Sequence, residues 1–108
     1  MNEIEFSDWE KLDFRIGEVK NVEDHPKADK LYILKVDLGD KEITLVAGIK
    51  QYYKREEVLG KKVVVFTNLK PAVLRGIKSE GMLLAAEKDG KVTLITADKN
   101  LGNGAKVR

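Results

Sequence analysis

The chain has 108 residues and a mass of 12.1 kDa, with 20 basic and 18 acidic side chains, one histidine and no cysteine. That length supports one core of ordinary size. Hydrophobic residues at 43% and charged residues at 35% describe a folded, highly charged domain and exclude a disordered one. The absent cysteine excludes disulfides, zinc ribbons and thiol nucleophiles, and the longest apolar run, Met82 to Ala86, is far short of the roughly 20 residues of a membrane helix. The opening Met1–Glu5 is acidic where an export signal is basic, so the expected compartment is the cytoplasm, with no membrane partner.

In chain order, Ser7 and Glu10 fit a capping box and predict a short helical turn within residues 1–12. Phe14 and Ile16 alternate, but the next apolar residue, Val19, is out of phase, so a bulged or sharply coiled strand is expected at Gly17. Asp24 is placed to cap a turn that starts at Pro26. Tyr32 to Leu38 and Ile43 to Ala47 alternate as strands around a Gly39-Asp40 hairpin turn. Ile49, Tyr52, Tyr53 and Glu56 have helical spacing, and Gly60 terminates that helix. Lys62 to Leu69 reads as a buried strand and residues 70–80 as a loop. Gly81 to Glu87 and Lys91 to Ala97 are strands joined by Asp89-Gly90, and Val107 adds a last short strand. A helix between the third and fourth strands is the connectivity of an OB-fold, a five-stranded Greek-key barrel in an all-β chain. An SH3-like barrel accommodates that helix less well.

The net charge of +2 conceals a segregation. Residues 1–13 carry one base and five acids, whereas residues 61–78 carry five bases and no acid. Lys27 and Lys30 flank the first long loop, Lys50, Lys54 and Arg55 accompany the helix, and Lys70, Arg75 and Lys78 fill residues 70–80. Cations at that density suit a phosphate backbone. Of seven aromatics, only Tyr32, Tyr52 and Tyr53 are candidate stacking platforms, so a folded RNA read by shape fits better than a bare single strand. Asn68 is suited either to a base edge or to capping the turn before Pro71, and Met82 either to a base or to the core.

Catalysis lacks its parts. A hydrolytic triad would need His25, the one histidine, beside Ser7 or Ser79. Asp24, His25 and Asp29 have metal-ligand chemistry, but the capping reading of Asp24 takes precedence. Gly102-Asn103-Gly104 lacks the strand before it and the helix after it that a dinucleotide site requires. No enzyme activity, metal or cofactor is expected.

Four segments stand in family order and spacing: His25-Pro26-Lys27-Ala28-Asp29-Lys30-Leu31, Val46-Ala47-Gly48-Ile49, Asn68-Leu69-Lys70-Pro71, and Arg75-Gly76-Ile77-Lys78-Ser79-Glu80-Gly81-Met82. Together they resemble the tRNA-binding domain found in stand-alone proteins and at the C-terminus of methionyl-tRNA synthetase, from about Asp13 to Arg108. The resemblance implies an OB-fold over residues 13–108 whose C-terminal β extension, with the segment after Asn68, forms a homodimer. It implies structure-dependent binding of tRNA, in the manner of a free-standing methionyl-tRNA synthetase β subunit, with an aminoacyl-tRNA synthetase as a further partner. Carried onto matching positions, the tRNA-binding residues are Lys30, Asn68, Lys70, Arg75, Ser79 and Met82; the charge argument adds Lys27, Lys50 and Lys78. The same family includes an export-related dimeric chaperone of unfolded polypeptide, which calls for an exposed apolar groove, and an adaptor that tethers a synthetase is a third role. Sixteen lysines and ten glutamates against a single glutamine lean towards a thermophilic source.

Overall fold

The computed structural model describes residues 2–108. Helix α1 (Phe6–Glu10) precedes three strands, β1 (Phe14–Asp24), β2 (Tyr32–Asp37) and β3 (Glu42–Ala47). Helix α2 (Arg55–Val58) and strand β4 (Lys62–Phe66) follow, then β5 (Ala72–Leu74), β6 (Ile77–Ser79), β7 (Met82–Leu83), β8 (Ala85–Lys88) and β9 (Lys91–Leu94). The main sheet has the antiparallel order β3-β2-β1-β4-β7. Its ends curl towards each other: the Glu80 N–H donates to the Thr44 carbonyl at 2.8 Å, and the Thr44 N–H donates to the Glu80 carboxylate at 2.6 Å. The result is an OB-like half-barrel.

Alternation dictates what fills it. Tyr32, Leu34 and Val36 of β2 face inward with Ile43, Leu45 and Ala47 of β3, joined by the expected Gly39-Asp40 turn, where the Leu38 N–H donates to Lys41 at 2.8 Å. Val63 and Val65 of β4 and Val58 of α2 complete the interior, all fully buried. Each such side chain stabilises the fold by about 1.5–3 kcal/mol.

The phase change in β1 has a different cause from the one expected. Gly17 pairs in register with Val63, and the irregularity lies between Val19 and Asn21. Phe14 and Ile16 instead face the outside of the barrel, where with Val64 they form a second core under Trp9 and Leu12 and under Ala105 and Val107. Gly17 and Val19 face inward, and a Cβ on Gly17 would come within 2.5 Å of the Val36 side chain. β1 and β4 are therefore apolar on both faces, because α1 and the C-terminal segment cover the outer one.

Other expectations are corrected. The N-cap of α1 is Glu5, whose carbonyl accepts from Asp8 and Trp9, so Ser7 lies inside the helix and makes no capping bond. Residues 49–59 are a turn at Ile49 followed by the short α2, because Lys54 adopts an extended backbone and donates its N–H to the Glu57 carboxylate at 2.7 Å. The turn after Asp24 is capped by His25, whose Nδ1 accepts from the Lys27 N–H at 3.0 Å; Asp24 pairs instead with Lys50 at 3.3 Å. The strand expected from Gly81 to Glu87 breaks at Leu84, which bonds to Val64 and Ile95 on its two sides. Asp89 and Gly90 form the anticipated hairpin turn, both at positive φ. The C-terminal strand reduces to one bridge, Arg15 with Lys106, and a 2.9 Å bond from the Val107 N–H to Phe14.

Residues 70–80 are no loop. β5 and β6 form a hairpin in the register Ala72↔Ser79, Val73↔Lys78 and Leu74↔Ile77. Its turn is Arg75-Gly76, with φ of 51° and 87°, the backbone of a type I′ turn. The short strands lack a period, and arginine is not a turn residue by composition, so alternation and turn chemistry were both silent.

Candidate nucleic-acid interface

The β5–β6 hairpin organises the predicted site. At its base, Ser79 is buried at 4% exposure; its hydroxyl accepts from the Val46 N–H at 3.0 Å and donates to the Gly81 carbonyl at 2.9 Å. Ser79 thereby fixes the hairpin to β3 and has no donor left for a ligand. Lys70 precedes the hairpin and, with Lys41, Asn68 and Glu80, lines an open groove of about 460 Å³ floored by Leu38 and Ile43. At the tip stand Arg75, exposed, and Lys78, facing outward opposite Val73. Three strand residues separate base from tip, roughly 10 Å.

His25 connects that tip to the first loop. The side chain is 4% exposed, and its Nε2 lies 3.0 Å from the Leu74 carbonyl. The loop that carries Lys27 and Lys30 is thus tied to the tip that carries Arg75, some 45–48 positions away in sequence. Lys50 joins them through its pair with Asp24. Met82, in β7 opposite Phe66, is 46% exposed and so does not serve the core.

Asn68 is engaged at both ends of its amide. Its Oδ1 accepts from the Asp13 N–H at 2.8 Å and its Nδ2 donates to the Lys11 carbonyl at 2.7 Å, stapling the segment between α1 and β1 to the end of β4.

The stacking surface is smaller than anticipated. Tyr32 is buried and donates its hydroxyl to the Tyr53 carbonyl at 2.6 Å. The Tyr53 hydroxyl accepts from the Leu94 N–H at 3.0 Å and meets Thr93; its bond to Thr93, then that to Leu94, lowers its pKa. Tyr52 alone of the three is exposed.

Charge sorts in the same direction. Arg15, with help from Lys106 and Thr67, holds the Asp13 carboxyl below its ordinary range. The Asn103 amide does the same to Glu18, and the Gly39 N–H, then Asn103, to Asp37. Lys62 is drawn into this network through the Asn103 amide oxygen and Glu18. Among the described residues, none of Lys27, Lys30, Lys70, Arg75 and Lys78 takes part in an ion pair. Lys41 was missed because it reaches Lys70 only when the sheet curls, bringing the β2–β3 turn beside residues 67–71.

An OB-like barrel that presents on one hairpin and one loop cations outside any ion pair among the described residues has the architecture of a binding module. The chain belongs to the putative tRNA-binding domain family, which matches residues 14–106. It is 57% identical over 105 residues to the methionine–tRNA ligase of Nanoarchaeum equitans and 55% identical over 108 residues to that of Pyrococcus horikoshii. These matches cover 97% and 100% of the chain but only 14% and 15% of those ligases. Among solved structures it is similar to a MetRS-related protein from Pyrococcus horikoshii, with a TM-score of 0.95, 38% identity and full coverage of both chains. It is also similar to the chaperone CsaA of Bacillus anthracis, with a TM-score of 0.89 and 30% identity over 99% of this chain and 100% of that one.

Proposed function

We propose that the chain binds folded tRNA without reacting on it, through the surface that runs from the tip of the β5–β6 hairpin to its base. The observation that carries this reading is that His25 joins the two segments that carry Lys27, Lys30 and Arg75, none of them in an ion pair among the described residues, in a chain matched nearly end to end by the tRNA-binding domain. Arg75, Lys78, Lys27 and Lys30 contact phosphates at the tip, Lys70 does so at the base, and Met82 offers an apolar contact. Lys50 acts beside them through Asp24, while Asn68 and Ser79 hold the surface in shape. Loss of Tyr32 and Tyr53 as platforms favours a structured RNA over a single strand.

The chain acts in the cytoplasm with a methionyl-tRNA synthetase, raising the local concentration of tRNA. Residues 13–108 are the binding domain, with Trp9 and Leu12 of the preceding segment packed on its outer face. It pairs with a second copy through the β8–β9 extension and the segment after Asn68, where Leu69 and Ile95 are exposed. Among the described residues no helix is long and apolar enough to cross a membrane.

A filter-binding titration with folded tRNA tests the reading. Five phosphate contacts reduce affinity on the order of several hundred-fold between about 50 and 200 mM salt; a flat response overturns it. A second reading, binding of unfolded polypeptide, draws on the likeness to CsaA and on exposed Val73, Leu74 and Met82. Displacement of tRNA by an unfolded polypeptide whose own binding is insensitive to salt selects that reading instead.

A further inference from the structure

We propose that His25 is a positioning residue that clamps the tip of the β5–β6 hairpin and so fixes Arg75 for its polyanionic ligand; the clamp's role in binding rests on the tRNA reading above. The His25 Nδ1 accepts the Lys27 N–H at 3.0 Å, so the ring proton is on Nε2, which donates to the Leu74 carbonyl at 3.0 Å. The His25 N–H donates to Leu31 at 3.2 Å, closing the loop that carries Lys27 and Lys30. One imidazole therefore fixes both cation-bearing segments at once.

The tip needs such support. β5 and β6 have three residues each and form their own two-stranded sheet, and an isolated pair of strands is marginal in water. The base is tied to β3 through Ser79 and Glu80. Beyond the β5–β6 ladder itself, the His25–Leu74 bond is, among the described residues, the one hydrogen bond that joins residues 72–78 to the rest of the fold. It grips the peptide before Arg75, which holds a φ of 51° unfavourable for a side chain of its size. A clamped tip spares the ligand the cost of ordering the arginine, equivalent to about two- to twelve-fold in affinity.

Two substitutions separate the two ring nitrogens. In His25→Gln the terminal amide reaches the place of Nε2 and can donate to Leu74. In His25→Asn the shorter amide reaches only the place of Nδ1 and keeps the Lys27 bond. His25→Asn is expected to weaken binding of a folded tRNA transcript about two- to twelve-fold and to speed amide exchange at Gly76 and Ile77, while His25→Gln restores both to near the parent. In an Arg75→Ala background, the effect of His25→Asn on binding should be diminished, Lys78 being the one cation left on the tip. Equal losses for both variants, or an undiminished His25→Asn effect without Arg75, overturn the proposal. In the parent chain, a scalar coupling across the hydrogen bond from the imidazole Nε2 to the Leu74 carbonyl carbon is expected, and its absence overturns the clamp whatever the variants do. If the parent binds no tRNA even at low salt, the tRNA reading fails, while the coupling and the amide exchange still decide the clamp.

Discussion

Asn68→Ala separates holding the surface from contacting RNA. The substitution removes two hydrogen bonds, from the Asp13 N–H at 2.8 Å and to the Lys11 carbonyl at 2.7 Å. Two further bonds, from the Thr67 N–H and hydroxyl to the Asp13 carbonyl, both at 2.8 Å, keep the segment from detaching altogether. Each lost bond contributes about 0.5–1.5 kcal/mol, and water can reach these groups, so the expected cost is about 1–2 kcal/mol. At roughly 4–8 °C per kcal/mol for a domain of this size, the melting temperature falls by about 4–16 °C. Asn68→Asp keeps the acceptor for Asp13 but sets a carboxylate against the Lys11 carbonyl, so it is expected to be no more stable than Asn68→Ala. Calorimetry measures the stability, and filter binding well below the melting transition measures the tRNA affinity, expected within about two-fold of the parent because the tip cations are untouched. An unchanged melting temperature refutes the stapling role, and a large affinity loss at unchanged stability places the amide on the RNA.

The remaining predictions concern acid sensitivity, an interior hydroxyl and the strained turn. Glu18 and Asp37 have folded-state pKa values below their ordinary 4.5 and 3.8, so their stabilisation is complete above those values and is lost as pH falls through the lowered ones. The melting temperature should therefore decline in acid, and Asn103→Ala, which lowers it at pH 7, should lose that disadvantage progressively as the two carboxyls protonate; a gap independent of pH contradicts the network. Tyr53→Phe leaves the Leu94 N–H without its acceptor and should cost about 1–3 kcal/mol in denaturant unfolding with no change in tRNA affinity. Arg75→Asn replaces a residue unsuited to positive φ with one that tolerates it, so stability should rise by up to about 1 kcal/mol while tRNA affinity falls; a variant that loses stability contradicts the assigned strain.

Where chemistry is local, the sequence was legible. Gly39-Asp40 and Asp89-Gly90 are turns because of their own residue types, and Tyr32 to Leu38 alternates because one face of that strand is buried. Roles that depend on distant partners were not readable. The structural bonds of Asn68 and Ser79 form only because the curl of the sheet brings Asp13 and Lys11, and Val46, beside them. Tyr32 reads as a platform by type, yet strand phase places it inside. The bond that gives His25 its role is invisible in the local sequence because its partner Leu74 is 49 positions away. The cause of the phase change at Gly17 was not readable because the covering of the outer face by α1 and the C-terminal segment leaves no periodic trace in β1 itself.

The two turns with paired positive φ differ in which residue bears the strain. Asp89 at φ 52° is of a type whose short polar side chain tolerates the left-handed region, and its hairpin needs no outside bond at the turn. Arg75 at φ 51° gains nothing from that conformation, and its hairpin is held by a buried histidine from another loop. Turn stability alone favours asparagine or aspartate at both places. An arginine at the more demanding one is therefore not explained by folding, and its exposure and lack of an ion pair leave its charge available to a ligand. A local rule broken at one residue, with the compensation supplied by a group that otherwise serves only the fold, is the pattern expected of a binding tip.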